Sequence, residues 1–181
     1  MKEEIRKKYL NIRNNIYNRN QLNDDIFNEV INNLHILNCD LILIYVSFGS
    51  EVDTIKLIEY LLKHKKVAVP KIINDKMEFY YIKSLNELKI GKFKILEPIT
   101  NHKVTNFNSC VSITPGICFS KDLYRIGYGK GYYDKFYQDK DTIYKIGLTY
   151  DECIIDTISK NNYDIQLDEI ISPTKNIKKT I

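Results

Sequence analysis

Asp40-Leu-Ile-Leu-Ile-Tyr-Val46 is an unbroken apolar run set between polar residues. A strand with one wet face alternates apolar and polar side chains. A strand covered on both faces does not alternate, and that is the habit of parallel sheets lying under helices. The residues that follow agree. Ser47 to Glu51 reads as a short loop, and Asp53 can cap a helix over about 54–64 with Ile55, Ile58, Leu61 and Leu62 facing inward. Lys66-Val-Ala-Val-Pro70 is the next short strand, which completes a βαβ unit.

Working outward, Met77 to Ile82, Cys110 to Thr114 and Ile143 to Leu148 read as further strands, the second ended by Pro115-Gly116. Residues 2–18 read as a helix, because Ile5, Tyr9, Ile12 and Ile16 recur at helical spacing. Lys2, Arg6 and Arg13 fall on one flank of that stripe, which taken alone reads as a solvated basic edge. A second helix is expected over 22–37, with Ile26, Val30, Ile31 and Leu34 inward. Residues 100–109 read as a polar surface loop, and the basic stretch 172–181 as a frayed tail. There is no internal repeat and no linker. The expectation is one α/β domain over 1–181, three-layered and Rossmann-like, with a mostly parallel central sheet flanked by helices. In such sheets ligands sit beyond the carboxyl ends of the strands, where Glu51, Pro70-Lys71 and the segment after Thr114 can line one crevice.

The bulk numbers set limits. A chain of 181 residues with 44% hydrophobic and 28% charged residues can bury a substantial core. A net charge of +4, spread along the chain, permits an anionic small molecule but does not call for nucleic acid. Arg occurs only at positions 6, 13, 19 and 125 against a background rich in Lys, so each Arg hints that a planar fork was needed. Cys39, Cys110, Cys118 and Cys153 form no C-x-x-C pair and have no His at ligand spacing, which argues against zinc and a disulfide framework and for a reducing compartment. No apolar run reaches membrane-spanning length, and the charged start with Glu3 and Glu4 resembles neither a signal nor a transit peptide. These features point to a cytoplasmic protein without membrane or nucleic-acid partners, with a monomer as the default. His35, His64 and His102 are expected at the surface.

The chemistry is concentrated in Arg125-Ile-Gly-Tyr-Gly-Lys-Gly-Tyr-Tyr-Asp134. The chain has seven glycines, and three of them fall within these ten residues. Glycine admits a left-handed backbone and a close approach, and adjacent N–H groups can form a nest for phosphate oxygens. Arg125 and Lys130 add cations, and Asp134 is a hard oxygen ligand of the kind Mg²⁺ prefers. Together they suggest a nucleotide–magnesium site. The pattern is neither a Walker A loop nor G-x-G-x-x-G, since Tyr132 stands where the last glycine would be. A Gly-rich turn after a strand is the competing reading, and Tyr132 and Tyr133 fit equally as core residues of the following helix. Lys130-Gly131-Tyr132 resembles the start of an RNA-binding RNP1 segment, but Tyr133 and Asp134 break that pattern.

The chain resembles the 5-formyltetrahydrofolate cyclo-ligase family. The resemblance rests on Lys2-x-x-x-Arg6, Glu51-Val-Asp-Thr54, Met77-Glu-Phe79, the Glu-Pro turn at Leu96-Glu-Pro98, Thr114-Pro-Gly-Ile-Cys-Phe119 and the 125–134 loop, in the family's order. It implies an ATP- and Mg²⁺-dependent conversion of 5-formyltetrahydrofolate to 5,10-methenyltetrahydrofolate. By the same resemblance Lys2, Arg6 and Arg125, Ile126, Gly127, Tyr128, Gly129, Lys130, Gly131, Tyr132 and Tyr133 would hold ATP, with Arg125 and Lys130 catalytic. Val46, Glu51, Met77 and Tyr128 to Tyr132 would contact the folate, and Asp134 and Asp164 would hold Mg²⁺. Near its end the sequence departs from the pattern. Ser159 replaces a proline and Tyr163 a histidine before Asp164-Ile-Gln-Leu-Asp168, which leaves Asp164 open between a metal ligand and a surface turn acid. Glu51 is open between a folate ligand and a helix-start acid. Two other functions remain to be separated from this one: a folate or nucleotide binding protein without turnover, and a different ATP-dependent ligase or kinase on the same scaffold.

Overall fold

In the computed structural model, which describes residues 1–180, the apolar run becomes strand β1 (Leu41–Ile44), buried along its whole length. Ile42 and Ile44 enter one apolar cluster, and Leu41 and Leu43 enter another on the opposite side of the sheet. That two-sided burial is why the run shows no alternation. Helices α2 (Arg19–Ile31), α3 (Leu34–Asn38) and α4 (Ile55–Leu62) pack on the first side, and the short helix α5 (Tyr132–Tyr137) on the second.

The other strands are β2 (Lys66–Ile73), β3 (Lys76–Ile82), β4 (Leu88–Ile90), β5 (Leu96–Pro98), β6 (Cys110–Thr114) and β7 (Cys118–Ser120). They continue with β8 (Arg125–Ile126), β9 (Tyr144–Leu148), β10 (Ile154–Ile155), β11 (Glu169–Ile171) and β12 (Asn176–Lys178). The main sheet runs β12-β11-β9-β6-β1-β2-β3. Its five inner strands are parallel, and the two edge strands β12 and β3 are antiparallel to their neighbours. From β1 the chain first winds outward to β2 and later returns on the other side of β1 as β6 and β9. The winding therefore reverses between β1 and β6, and a crevice opens beyond the carboxyl ends of strands at such a switch. A small sheet, β10-β7-β8, lies beside it. Its cluster of Cys118, Ile126, Cys153 and Ile158 is covered by Ile5, Tyr9 and Ile12 of helix α1 (Lys2–Asn14). Among the described residues no helix is long and apolar enough to cross a membrane.

Several boundaries differ from the sequence expectation, each for a local reason. The first helix ends at Asn14 rather than 18, where the Asn15 amide bonds back to the Asn11 carbonyl at 2.7 Å. The expected 22–37 helix is two helices, because the Asn33 carboxamide oxygen caps a new start by accepting from the His35 and Ile36 N–H groups. The N-cap of α4 is Thr54 rather than Asp53; the Thr54 hydroxyl donates instead to the Tyr45 carbonyl at 2.6 Å, and Asp53, one position earlier, accepts from the Ile55 N–H at 2.9 Å. The strand at Lys66 runs on to Ile73 and turns through Asn74 and Asp75, both left-handed, into β3. Leu96-Glu-Pro98 is a short strand paired with β4 rather than a turn. Within the expected frayed tail, Asn176–Lys178 is an edge strand on β11. Ile181 lies outside the described residues.

Candidate active site

A cavity of about 730 Å³ lies at the switch. Tyr45 and Val46 just beyond β1, and Pro115 just beyond β6, reach it. The residues that the resemblance assigns to the site also line it: Lys2, Arg6, Val46, Glu51, Met77, the whole of 125–134, and Asp164; Pro70 does too, but Lys71, expected beside it, does not. Five stretches far apart in the chain thus meet in one place. The volume is that of an ordinary small-molecule site.

One wall is dry. Pro70, Ile72 and Met77 of the β2–β3 hairpin join Val46 there. Pro70 sits where β2 has run past its pairing with β1, so no sheet hydrogen bond is lost. Glu51 is the acid of this wall, 7% exposed, with Oε1 accepting the Phe48 N–H at 3.0 Å. Burial pushes its carboxyl from the ordinary 4.5 up to about 7, against the opposing pull of the Phe48 N–H and the Arg13 guanidinium. A buried carboxylate with one oxygen uncommitted suits a ligand edge that offers N–H donors.

The other wall is the glycine loop. Gly129 and Gly131 have φ of 100° and 68°, values that favour glycine. A Cβ on Gly127 would stand 2.8 Å from an Arg125 guanidinium nitrogen. That guanidinium lies under the loop, 6% exposed, 5.2 Å from the centre of the Tyr133 ring and 3.6 Å from Asp134. Arg6 Nε donates to the Gly127 carbonyl at 2.8 Å and so ties α1 to the loop. Lys130 is exposed at the mouth, without a salt bridge among the described residues. Tyr132 reaches across the mouth to Asp75 at 2.8 Å. The Tyr133 hydroxyl and Arg125 Nε are buried and have no hydrogen-bond partner in the protein. Two such orphans side by side against a cavity are what a ligand would satisfy.

The two acids come to this wall as well. Asp134 Oδ1 accepts the Ile165 N–H at 3.2 Å, and Asp164 Oδ2 accepts from Lys2 Nζ and the Asn161 N–H, both at 2.8 Å. Burial raises the Asp164 carboxyl, but the Lys2 ammonium and the Asn161 N–H outweigh it and hold it below the usual range. Each acid keeps one oxygen free of these bonds. No group of three metal-ligating side chains occurs among the described residues. Two hard carboxylates beside the glycine loop fit Mg²⁺, which takes one or two protein acids and completes its shell with other oxygens and water.

Arg13 corrects the expectation of a solvated basic flank on α1. It is 4% exposed and bonded to three separate segments through Ser50, Gly116 and Tyr128. Sequence reading also missed the aromatic rim. Phe48 stands 5.8 Å from Tyr128, ring to ring, and Phe93 and Tyr163 line the mouth from other loops. An aromatic at position 93 between Lys92 and Lys94, just after Gly91, was the available signal. Phe93 takes φ 57° there.

The family model described as the 5-formyltetrahydrofolate cyclo-ligase family matches residues 1–173. A probable 5-formyltetrahydrofolate cyclo-ligase of Schizosaccharomyces pombe is 31% identical over 159 residues, covering 77% of this chain and 78% of that protein. The 5-formyltetrahydrofolate cyclo-ligase of Escherichia coli K12 is 29% identical over 141 residues, covering 73% of this chain and 77% of its own. The solved structure of the Aquifex aeolicus 5,10-methenyltetrahydrofolate synthetase superposes with a TM-score of 0.85 at 26% identity, over 98% of this chain and 92% of that one.

Proposed function

The chain belongs to the 5-formyltetrahydrofolate cyclo-ligase family, and from that premise we propose that it converts 5-formyltetrahydrofolate to 5,10-methenyltetrahydrofolate at this cavity, turning ATP into ADP and phosphate. The observation that carries the proposal is the convergence of residues 2–6, 46–51, 77, 125–134 and 164 on one crevice at the switch of the sheet.

The chemistry assigns work to each wall. An N-formyl carbonyl is a poor electrophile. Moving the γ-phosphoryl group of ATP onto its oxygen makes the carbon attackable by a neighbouring nitrogen of the same folate. That nitrogen forms the new C–N bond and gives up its proton to water, and the C–O bond breaks with phosphate leaving. Ring closure inside one molecule needs orientation more than a strong base. The dry wall supplies orientation: Glu51 takes the N–H donors of the pterin edge, and Val46 and Met77 cover its face. The loop supplies charge. Its N–H groups, Arg6 and Lys2 hold the phosphates, and Lys130 meets charge as it moves in phosphoryl transfer. Arg125 acts from beneath the loop, held by Tyr133 and Asp134. Asp134 and Asp164 would hold Mg²⁺, which neutralises phosphate charge when bound. One domain over 1–181, working as a cytoplasmic monomer on these two small molecules, completes the reading.

The test is a near-ultraviolet absorbance assay with purified protein, Mg²⁺, ATP and 5-formyltetrahydrofolate. The conjugated methenyl product absorbs at longer wavelength than the substrate, and an ATP-dependent rise of its band is expected. Folate binding with no band would make the chain a binding protein without turnover. ADP release that does not need the formylated folate would mark a different ligase or kinase.

A further inference from the structure

Arg13 does not line the cavity, yet it is bonded to three segments that do or that lead into it. Its Nε donates to Ser50 Oγ at 2.8 Å, one terminal nitrogen to the Gly116 carbonyl at 3.1 Å, and the other to the Tyr128 hydroxyl at 2.7 Å. Ser50 immediately precedes Glu51 of the dry wall. Gly116 follows Pro115 at the end of β6, and Tyr128 belongs to the glycine loop. The backbone at both ends of the Arg13–Ser50 bond is tied as well, since the Arg19 guanidinium donates to the Arg13 carbonyl and, at 3.0 Å, to the Ser50 carbonyl. The other side-chain bond across the cavity, from the Tyr132 hydroxyl to Asp75, joins the loop to the tip of the β2–β3 hairpin at the mouth and does not reach Glu51.

We infer that Arg13 is a positioning residue that couples the folate site to the nucleotide site, so that filling either one tightens the other. The inference rests on the function proposed above, for it takes the two ligands from that reading. A planar fork with three fixed bonds in three directions transmits position, because moving one partner strains the other two. Tyr128 is 45% exposed, and its loop contains left-handed Gly129 and Gly131, so this wall orders most when phosphates fill the nest. Ordering Tyr128 fixes one prong of the fork, which fixes Ser50 and hence Glu51. Coupling is reciprocal, so a bound pterin fixes the loop in the same way. A lysine at position 13 would keep the charge and lose the fork.

The test is a tyrosine-fluorescence titration of 5-formyltetrahydrofolate with and without a non-hydrolysable ATP analogue and Mg²⁺. In the unaltered protein the analogue should tighten folate binding by roughly 5- to 100-fold. In Arg13→Lys, and in Ser50→Ala, which cuts only the link to the folate wall, that tightening should fall below about twofold. Ser50 is half-buried on a loop, so Ser50→Ala carries the test alone if Arg13→Lys fails to fold. Unchanged tightening in a folded variant overturns the inference, as does binding of both ligands to the unaltered protein without any tightening. If the unaltered protein binds no folate and forms no methenyl band, the functional reading itself fails, and the coupling falls with it.

Discussion

The two walls of the cavity are built on opposite principles. The wall at the strand ends is apolar and largely dry, and it carries one buried acid, Glu51, held by the Phe48 N–H. The glycine loop is open to water, takes left-handed backbone at Gly129 and Gly131, and has Lys130 exposed at its mouth. Rigid strand ends fix a flat ring cheaply in entropy, whereas a charged group that must be met in a changing state needs mobile cations and backbone N–H groups. The division teaches that recognition and charge handling can be altered separately.

The largest expected effect tests the wet wall. Lys130→Ala should lower kcat by about 10²- to 10³-fold while leaving folate affinity in place, because its charge matters most as phosphoryl charge moves. Steady-state rates of methenyl formation and a folate titration decide it. An equal loss in both would mean the two walls do not divide the work as described.

Next comes the dry wall. Glu51→Gln should weaken folate binding by roughly 10- to 100-fold, the penalty for mispairing buried donors, and leave nucleotide binding measured without folate unchanged. In the unaltered protein folate affinity should drop as pH falls below about 7, since the ionised carboxylate is the acceptor. In the variant this dependence should vanish. Stability runs the other way. A carboxyl whose folded value of about 7 lies above its ordinary 4.5 takes up protons on folding between those values. Its contribution to stability is therefore greatest at low pH and is lost as pH rises through about 7. Glu51→Gln should thus be more stable than the parent at pH 8, by up to roughly 3 kcal/mol, and equal to it near pH 4. Denaturant melts at both pH values read this directly.

The smallest effect lies between the walls. Tyr133→Phe removes a buried hydroxyl that has no partner. The free protein should gain up to about 1 kcal/mol in a urea melt, while affinity for at least one substrate falls. A loss of stability would show that the hydroxyl is already satisfied in the free protein.

Much of this was legible because it follows from short-range rules. The unalternating run 40–46 announced a doubly buried strand, and the crowded glycines of 127–131 announced a backbone that must come close to something. Asp53 signalled the start of α4 to within one residue, and it accepts from the Ile55 N–H just ahead of the cap, Thr54. What was not legible depends on partners far away. Helical spacing placed Arg13 on a basic flank but could not show that Ser50, Gly116 and Tyr128 would enclose it. The doubt over Asp164 arose from its neighbours Ser159 and Tyr163, whereas its surroundings are set by Lys2. The edge strand at Asn176–Lys178 carries no apolar run because an edge strand buries only part of its surface.

Lys2 and its partner Asp164 are 162 positions apart. Arg6 and Gly127 are separated by 121. Contacts of such span form late, since the intervening chain must be ordered first. During synthesis the α1 segment therefore leaves the ribosome with nothing to dock on, and it must wait for Cys118, Ile126, Cys153 and Asp164. The sheet can assemble well before the cavity exists. A chain stalled before residue 164 would have most of its strands but an unclosed site, and would present Ile5, Tyr9 and Ile12 to whatever chaperone surveys nascent apolar surface.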